Sequence, residues 1–212
     1  MARLKDEKRR TVSSRAWLER QLSDPYVARA KREGFRSRAA YKLAEIDDKY
    51  KVLKSRARVV DLGAAPGGWS EIAAKRIGAQ GRVIGLDILD IKPIPGVEFL
   101  KLDFLDVTAP ARLKQMLGGT ADVVLSDMAA NATGHRQTDH LRIMALAEAA
   151  AAFAREVLAS RGTFLCKVLQ GGTEAVLLAE LKRDFASVKH VKPPASRADS
   201  AELYLLARGF RG

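Results

Sequence analysis

Apolar positions between residues 57 and 207 follow two alternating periods. Short apolar runs predict strands at Ala57–Leu62, Arg82–Asp87, Val97–Leu102, Asp122–Ser126, Thr163–Val168, Ser187–Val191 and Glu202–Ala207. Between most of them, helical patterns cover Trp69–Ile77, Ala111–Leu117, Leu141–Leu158 and Thr173–Phe185. This alternation predicts an α/β sheet covered on both faces. The last interval breaks it: Lys192–Ala201 carries Pro193 and Pro194 and no helical period. A parallel crossover normally needs a dozen or more residues and usually a helix. The final strand is therefore expected to run antiparallel to its neighbours in a mixed seven-stranded sheet, an arrangement that favours a methyltransferase over the mostly parallel dinucleotide fold.

Composition refines the organisation. A chain of 212 residues with 47% hydrophobic content can bury one sizeable core. No apolar run is long enough to span a membrane, and the opening MARLKDEKRR lacks the apolar stretch of a secretory signal. The one cysteine, Cys166, cannot form an internal disulfide; a reducing cytoplasm and a packing role are expected. The net charge of +12 is uneven, for residues 1–60 hold 18 basic against 8 acidic side chains and so carry ten of it. Arg9, Arg10, Arg15, Arg20, Arg29, Lys31, Arg32, Arg36 and Arg38 are interleaved with Trp17, Tyr26 and Phe35. We read residues 1–36 as a basic RNA-binding arm and 37–212 as the folded domain. A solvated basic face whose aromatics anchor it to the core is the alternative.

The segment DLGAAPGGWS, Asp61–Ser70, joins the first strand to the first sheet-covering helix through a glycine-rich turn. Gly63, Gly67 and Gly68 remove Cβ atoms where the chain turns and a ligand can approach the backbone, and the new helix offers unpaired N–H groups. The spacing resembles a dinucleotide fingerprint with Ala65 at its second glycine. Asp61, however, would repel a diphosphate and suits a cationic amino acid portion, as in S-adenosylmethionine. Asp87 ends the second strand, where a carboxylate can accept from both ribose hydroxyls of an adenosine; this serves either cofactor. Asp103 closes the third strand, either as an acceptor for an adenine amine or as a turn residue. Trp69 lines the pocket or packs the helix, with packing the default.

Two ionisable residues interrupt apolar runs. Lys167 lies inside TFLCKVL, where burial would favour the neutral amine and general-base work, unless the amine snorkels out at a strand edge. Asp127 follows VVLS and would share a rim with Lys167 and orient its amine; the alternative is a turn-forming aspartate. Read alone, Lys42 in RSRAAYKLAEI is a solvated helix residue and Glu202 an outward-facing residue at a strand start. His135, His140 and His190 have no metal-ligand spacing, so no metal site is expected. The polar stretch Asn131–His140 reads as a substrate-facing loop or a plain connection.

Taken together, SDPYVARAKREGFRSRAAYKL, VVDLGAAPGGWS, VVLSDMAAN, KVLQG and SRADSAELYLLA, in this order between about Trp17 and Ala207, closely resemble the FtsJ-type family of ribosomal RNA ribose 2'-O-methyltransferases. The resemblance implies a Rossmann-like class I methyltransferase fold, S-adenosylmethionine as methyl donor, and a catalytic tetrad at Lys42, Asp127, Lys167 and Glu202. It puts cofactor-binding positions at Gly67, Trp69, Asp87, Asp103 and Asp127, beside Asp61 and Gly63 from the loop reading. The implied substrate is a uridine ribose in the A loop of 23S rRNA within the large ribosomal subunit. Arg32, Arg36, Arg38 and Arg197 are the expected RNA contacts. Many relatives have proline where this chain has Ala130, which would loosen the loop after Asp127. A 2'-O-methyltransferase of another RNA, a noncatalytic RNA-binding ribosome assembly factor and an NAD-dependent oxidoreductase are the rival readings, and a monomer is expected.

Overall fold

A computed structural model describes residues 24–130, 133–170 and 175–212. Arg9, Arg10, Arg15, Trp17 and Arg20 of the arm lie outside the described residues, as do Asn131 and the start of the helix expected at Thr173. Helices α1 (Pro25–Glu33) and α2 (Ala39–Tyr50) precede the sheet. Then follow β1 (Arg58–Leu62), α3 (Gly68–Ile77), β2 (Arg82–Asp87), β3 (Val97–Lys101), α4 (Ala109–Leu117) and β4 (Ala121–Ser126). The chain continues through α5 (Arg136–Val157), β5 (Leu158–Leu169), α6 (Ala175–Asp184), β6 (Phe185–Val191) and β7 (Glu202–Phe210).

The seven strands form one sheet in the order β3-β2-β1-β4-β5-β7-β6. Strands β1 to β5 pair in parallel, whereas β7 is antiparallel to both β5 and β6, as its short connection requires. Apolar side chains cover both faces. On one, Leu43 and Ile46 of α2 and Trp69 and Ile72 of α3 pack on Val59, Val123 and Leu165. On the other, Leu113, Ala150 and Leu181 from α4, α5 and α6 meet Val60, Val124 and Phe164. Strand β5 begins five residues earlier than its apolar run, because a register shift between Ala121 and Val123 lets Leu158 pair before the main ladder resumes at Thr163.

Helix α1 is defined at both ends by local chemistry. Asp24 caps it by accepting from Tyr26 N, Pro25 occupies the first turn, and Gly34 ends it in the left-handed conformation. Asp24 also receives the guanidinium groups of Arg38 and Arg197, and Arg38 donates onward to Ala195 O. Tyr26 donates to Glu45 of α2 at 3.1 Å, and Glu45 accepts from Ala195 N at 2.7 Å. The described part of the arm is thus joined to α2 and to the β6–β7 connection by polar contacts, with Phe35 packed edge to face on Tyr41 and Tyr26 tilted against the same ring.

Removing a buried carboxylate that holds two cations leaves charges uncompensated, a loss of about 3 kcal/mol. Asp24→Ala should therefore release α1 locally: hydrogen exchange should show its amides opening roughly a hundredfold more often while β1 and β4 stay protected.

Candidate active site

The glycine-rich loop lies where the strand order reverses, between β1 and β4, at the carboxyl edge of the parallel strands. Open α/β sheets bind ligands at such a crevice. Gly63 has φ +77°, and a Cβ there would come within 2.8 Å of the Met128 backbone, so glycine lets the loops after β1 and β4 touch. Gly67, φ +108°, caps α3 without any side-chain acceptor for its first N–H groups. A Cβ on Gly67 would meet Ile94 Cδ1 at 2.9 Å and Arg36 Cδ at 3.0 Å.

Two carboxylates hold this loop, and a third lies at the end of β3. Asp87 accepts from Ala65 N and Leu89 N, each at 2.9 Å, and so ties the loop to the end of β2. Asp61 is sealed beneath it: Oδ2 accepts from Ser70 Oγ at 2.6 Å, while Oδ1 is buried without a partner. Burial pushes the Asp61 carboxyl up to about 7, with Asp127 and Asp87 adding to the rise. Asp61 is therefore sealed beneath the loop rather than presented at its surface. Asp103, exposed at the end of β3, accepts from Leu105 N at 3.0 Å in a tight turn. Trp69 is buried; its indole donates to Ala39 O at 2.9 Å and its ring lies 5.5 Å from that of Tyr204.

Across the crevice, strand geometry gathers the second group of residues. Lys167 of β5 stands opposite Tyr204 of β7, and Glu202 lies two residues before Tyr204, so all three side chains share one face. Asp127 follows Ser126, which pairs with Cys166, and so lies beside Lys167. Lys167 Nζ donates to Asp127 O at 2.7 Å and pairs with Asp127 Oδ1 at 3.1 Å. Lys42 of α2 reaches Glu202 at 2.6 Å, and Ser196 Oγ donates to Glu202 Oε1 at 2.8 Å. The Tyr204 hydroxyl donates to Asp127 Oδ1 at 2.9 Å. Burial holds this phenol well above its usual range and both nearby carboxylates reinforce the shift, so it remains a donor.

Two sequence expectations are corrected here. Lys42 is not a solvated helix residue and Glu202 does not face outward: their side chains are 12% and 15% exposed and paired with each other. The cause is tertiary, because α2 packs beside the start of β7, a contact that local periodicity does not report. Lys167 does not snorkel, being 8% exposed. Its neighbour Cys166 is buried in the core, and burial raises its thiol to about 12. Sequence reasoning missed Tyr204, Ser196 and Asp24. Only Tyr204 left a signal, a hydroxyl inside the apolar run following Glu202.

The four arginines occupy different places. Arg32 is exposed. Arg36 donates to Lys92 O and Pro93 O, at 2.7 and 2.6 Å, beside Gly67. Arg38 and Arg197 converge on Asp24, as described above. His135 and the exposed His190 lie outside the lysine–carboxylate group.

A seven-stranded sheet with an antiparallel β7 and a ligand crevice bordered by carboxylates defines a Rossmann-like methyltransferase. Residues 35–210 match the FtsJ-like methyltransferase family, and the chain belongs to that family. It is 66% identical to the "Ribosomal RNA large subunit methyltransferase E" of Xanthobacter autotrophicus, over 99% of this chain and 84% of that protein. The protein of the same name from Azorhizobium caulinodans is 64% identical, over 99% and 89%. Among solved structures, a Plasmodium falciparum protein assigned as a ribosomal RNA methyltransferase superposes with a TM-score of 0.74 at 30% identity, covering 84% of this chain and 100% of that one.

The raised Asp61 carboxyl makes stability depend on pH. The fold favours the neutral acid, so this contribution is complete below the ordinary value near 3.8 and is lost as pH rises through about 7. Chemical denaturation at pH 4 and pH 8 should show the parent chain losing roughly 4 kcal/mol relative to Asp61→Asn, which cannot ionise.

Proposed function

We propose that this chain transfers a methyl group from S-adenosylmethionine to a ribose 2'-hydroxyl of ribosomal RNA, and that the acceptor is a uridine in the A loop of 23S rRNA within the large subunit. The observation that carries the reading is the pair of buried lysine–carboxylate contacts, Lys167–Asp127 and Lys42–Glu202, at the edge of the cofactor crevice. Family membership and the names of the 64–66% identical relatives support the class of reaction and the RNA substrate. The uridine and its position rest on the motif resemblance.

The residues fit the cofactor in charge and shape. Asp87 and Asp127 make the crevice acidic, which suits a ligand bearing sulfonium and ammonium charges and disfavours a diphosphate. Gly63 and Gly67 clear the backbone, Asp87 would accept from the ribose and Asp103 from the adenine, and Trp69 supports the loop from beneath. When bound, S-adenosylmethionine supplies a methyl group already activated as a sulfonium, so no metal is needed.

Lys167 is the proposed base. A neutral amine has two hydrogens and one lone pair, and Asp127 offers two acceptors, its backbone oxygen and Oδ1. With both hydrogens committed there, the lone pair is left to accept the 2'-hydroxyl proton while the oxygen forms its bond to the methyl carbon and the sulfur–methyl bond breaks. Asp127 is held in turn by Tyr204, and Lys42, fixed by Glu202, places a cation near the acceptor oxygen. Alignment of this kind can supply much of the acceleration. The basic arm, residues 1–36, is proposed to draw the complex to RNA by phosphate attraction, with Arg32 and Arg36 on its docked part and Arg38 and Arg197 at the rim.

Lys167→Ala should abolish methyl transfer to large subunits while leaving S-adenosylmethionine affinity within about threefold by calorimetry; near-normal turnover would exclude Lys167 as base. Ribose-methylation mapping of total RNA with and without the protein should show one nucleotide changing. Removing residues 1–23 should weaken RNA binding and flatten its salt dependence, with the loss largest at low ionic strength.

A further inference from the structure

Two cavities lie side by side at the rim of the lysine–carboxylate group. One, of about 230 Å³, contains Lys42 and Glu202. The other, of about 350 Å³, lies between the N-terminus of α1 and the β6–β7 connection. Arg38, Arg197 and Asp199 line both and form the wall between them.

The two compartments differ in chemistry. The larger is lined by Pro25 and Tyr26 on one side and by the exposed Pro194 and Ala198 on the other. The dividing wall carries two guanidinium groups, Arg38 and Arg197, both held by Asp24, and with Asp199 its formal charge is zero. Arg197 is one third exposed, so its donors are available to a ligand at the wall. Asp199, also exposed, puts an acceptor at the mouth, which a nucleobase amine can use.

From this juxtaposition we infer that the larger cavity is a subsite for the nucleobase next to the methylated nucleotide, with the intervening phosphodiester on the Arg38–Arg197 wall. The inference rests on the RNA-methylation reading above and adds a specificity element to it. A target ribose in the Lys42–Glu202 cavity has its neighbouring phosphate one compartment away, where the partly exposed Arg197 guanidinium offers its donors. The base beyond that phosphate then meets Tyr26 and Pro194, and flat contacts of this type are how single-stranded RNA bases are held. At this volume the cavity stands at the lower end of ligand pockets and suits one unpaired base rather than a base pair. It follows that the target strand must be unpaired on at least one side of the modified residue.

Ala198 allows a test without disturbing the core. Ala198→Trp fills the cavity from its exposed side. With purified large subunits lacking the modification, this variant should raise KM for subunits roughly tenfold, the size of one lost base stack, with kcat at saturation and S-adenosylmethionine affinity within twofold. Ala198→Cys provides a positional readout, because the native Cys166 is buried with its thiol raised to about 12 and will not compete for a label. A short photoactivatable group on Cys-substituted Ala198 should cross-link to the immediate neighbour of the methylated nucleotide. Wild-type KM in Ala198→Trp, or cross-links only to nucleotides more than two positions away, would overturn the subsite and leave the methylation reading intact. Absence of any methyl transfer by the parent protein would overturn both.

Discussion

The rest of the site depends on the antiparallel insertion of β7 between β5 and β6. A parallel final strand would bring its carboxyl end to the crevice; the reversed strand brings its beginning, and so Glu202 and Tyr204 arrive at the edge where β1, β2 and β4 release Asp61, Asp87 and Asp127. Cofactor chemistry and acceptor chemistry can then face each other across one crevice without a second domain. The cause is the ten-residue connection Lys192–Ala201, too short and too proline-rich for a crossover helix. The same connection supplies Ser196 to Glu202 and Arg197 to Asp24, so it shapes the rim as well as the topology.

A second layer of organisation is electrostatic. Carboxylates collect under the cofactor loop, cations collect on the helices before the sheet, and the lysine–carboxylate pairs lie where the two meet. Each largely buried basic side chain is matched locally, Lys167 by Asp127, Lys42 by Glu202 and Arg38 by Asp24. A lysine held by a backbone carbonyl and a carboxylate is fixed in position, and proton transfer demands that position.

Much of this was legible in the sequence because it is written in local terms. Short apolar runs located all seven strands, glycine and aspartate spacing marked the turn after β1, and an isolated lysine in TFLCKVL singled out Lys167. What local pattern could not show was pairing across long separations. Lys42 and Glu202 lie 160 residues apart and look solvated until α2 is packed beside β7. Helix α1 was hidden in the basic arm for a similar reason: Ala30 is its one buried residue and its charged face dominates the composition. The motif resemblance recovered the lysine–glutamate pair. It gave no warning that Arg36 and Arg38, which look like free RNA contacts, already serve backbone carbonyls and a buried carboxylate.

The contact between Gly63 and Met128 has a mechanical consequence. With backbone against backbone and no room for even a methyl group, the cofactor loop and the segment bearing Asp127 behave as one rigid body rather than two adjustable loops. A side chain at position 63 would therefore be felt one residue away from it, at Asp127, as a displacement of the group that orients Lys167. On the proposed reading Gly63 sets the alignment tolerance of the group around Lys167, and a defect there would register as lost turnover before it registered as lost cofactor.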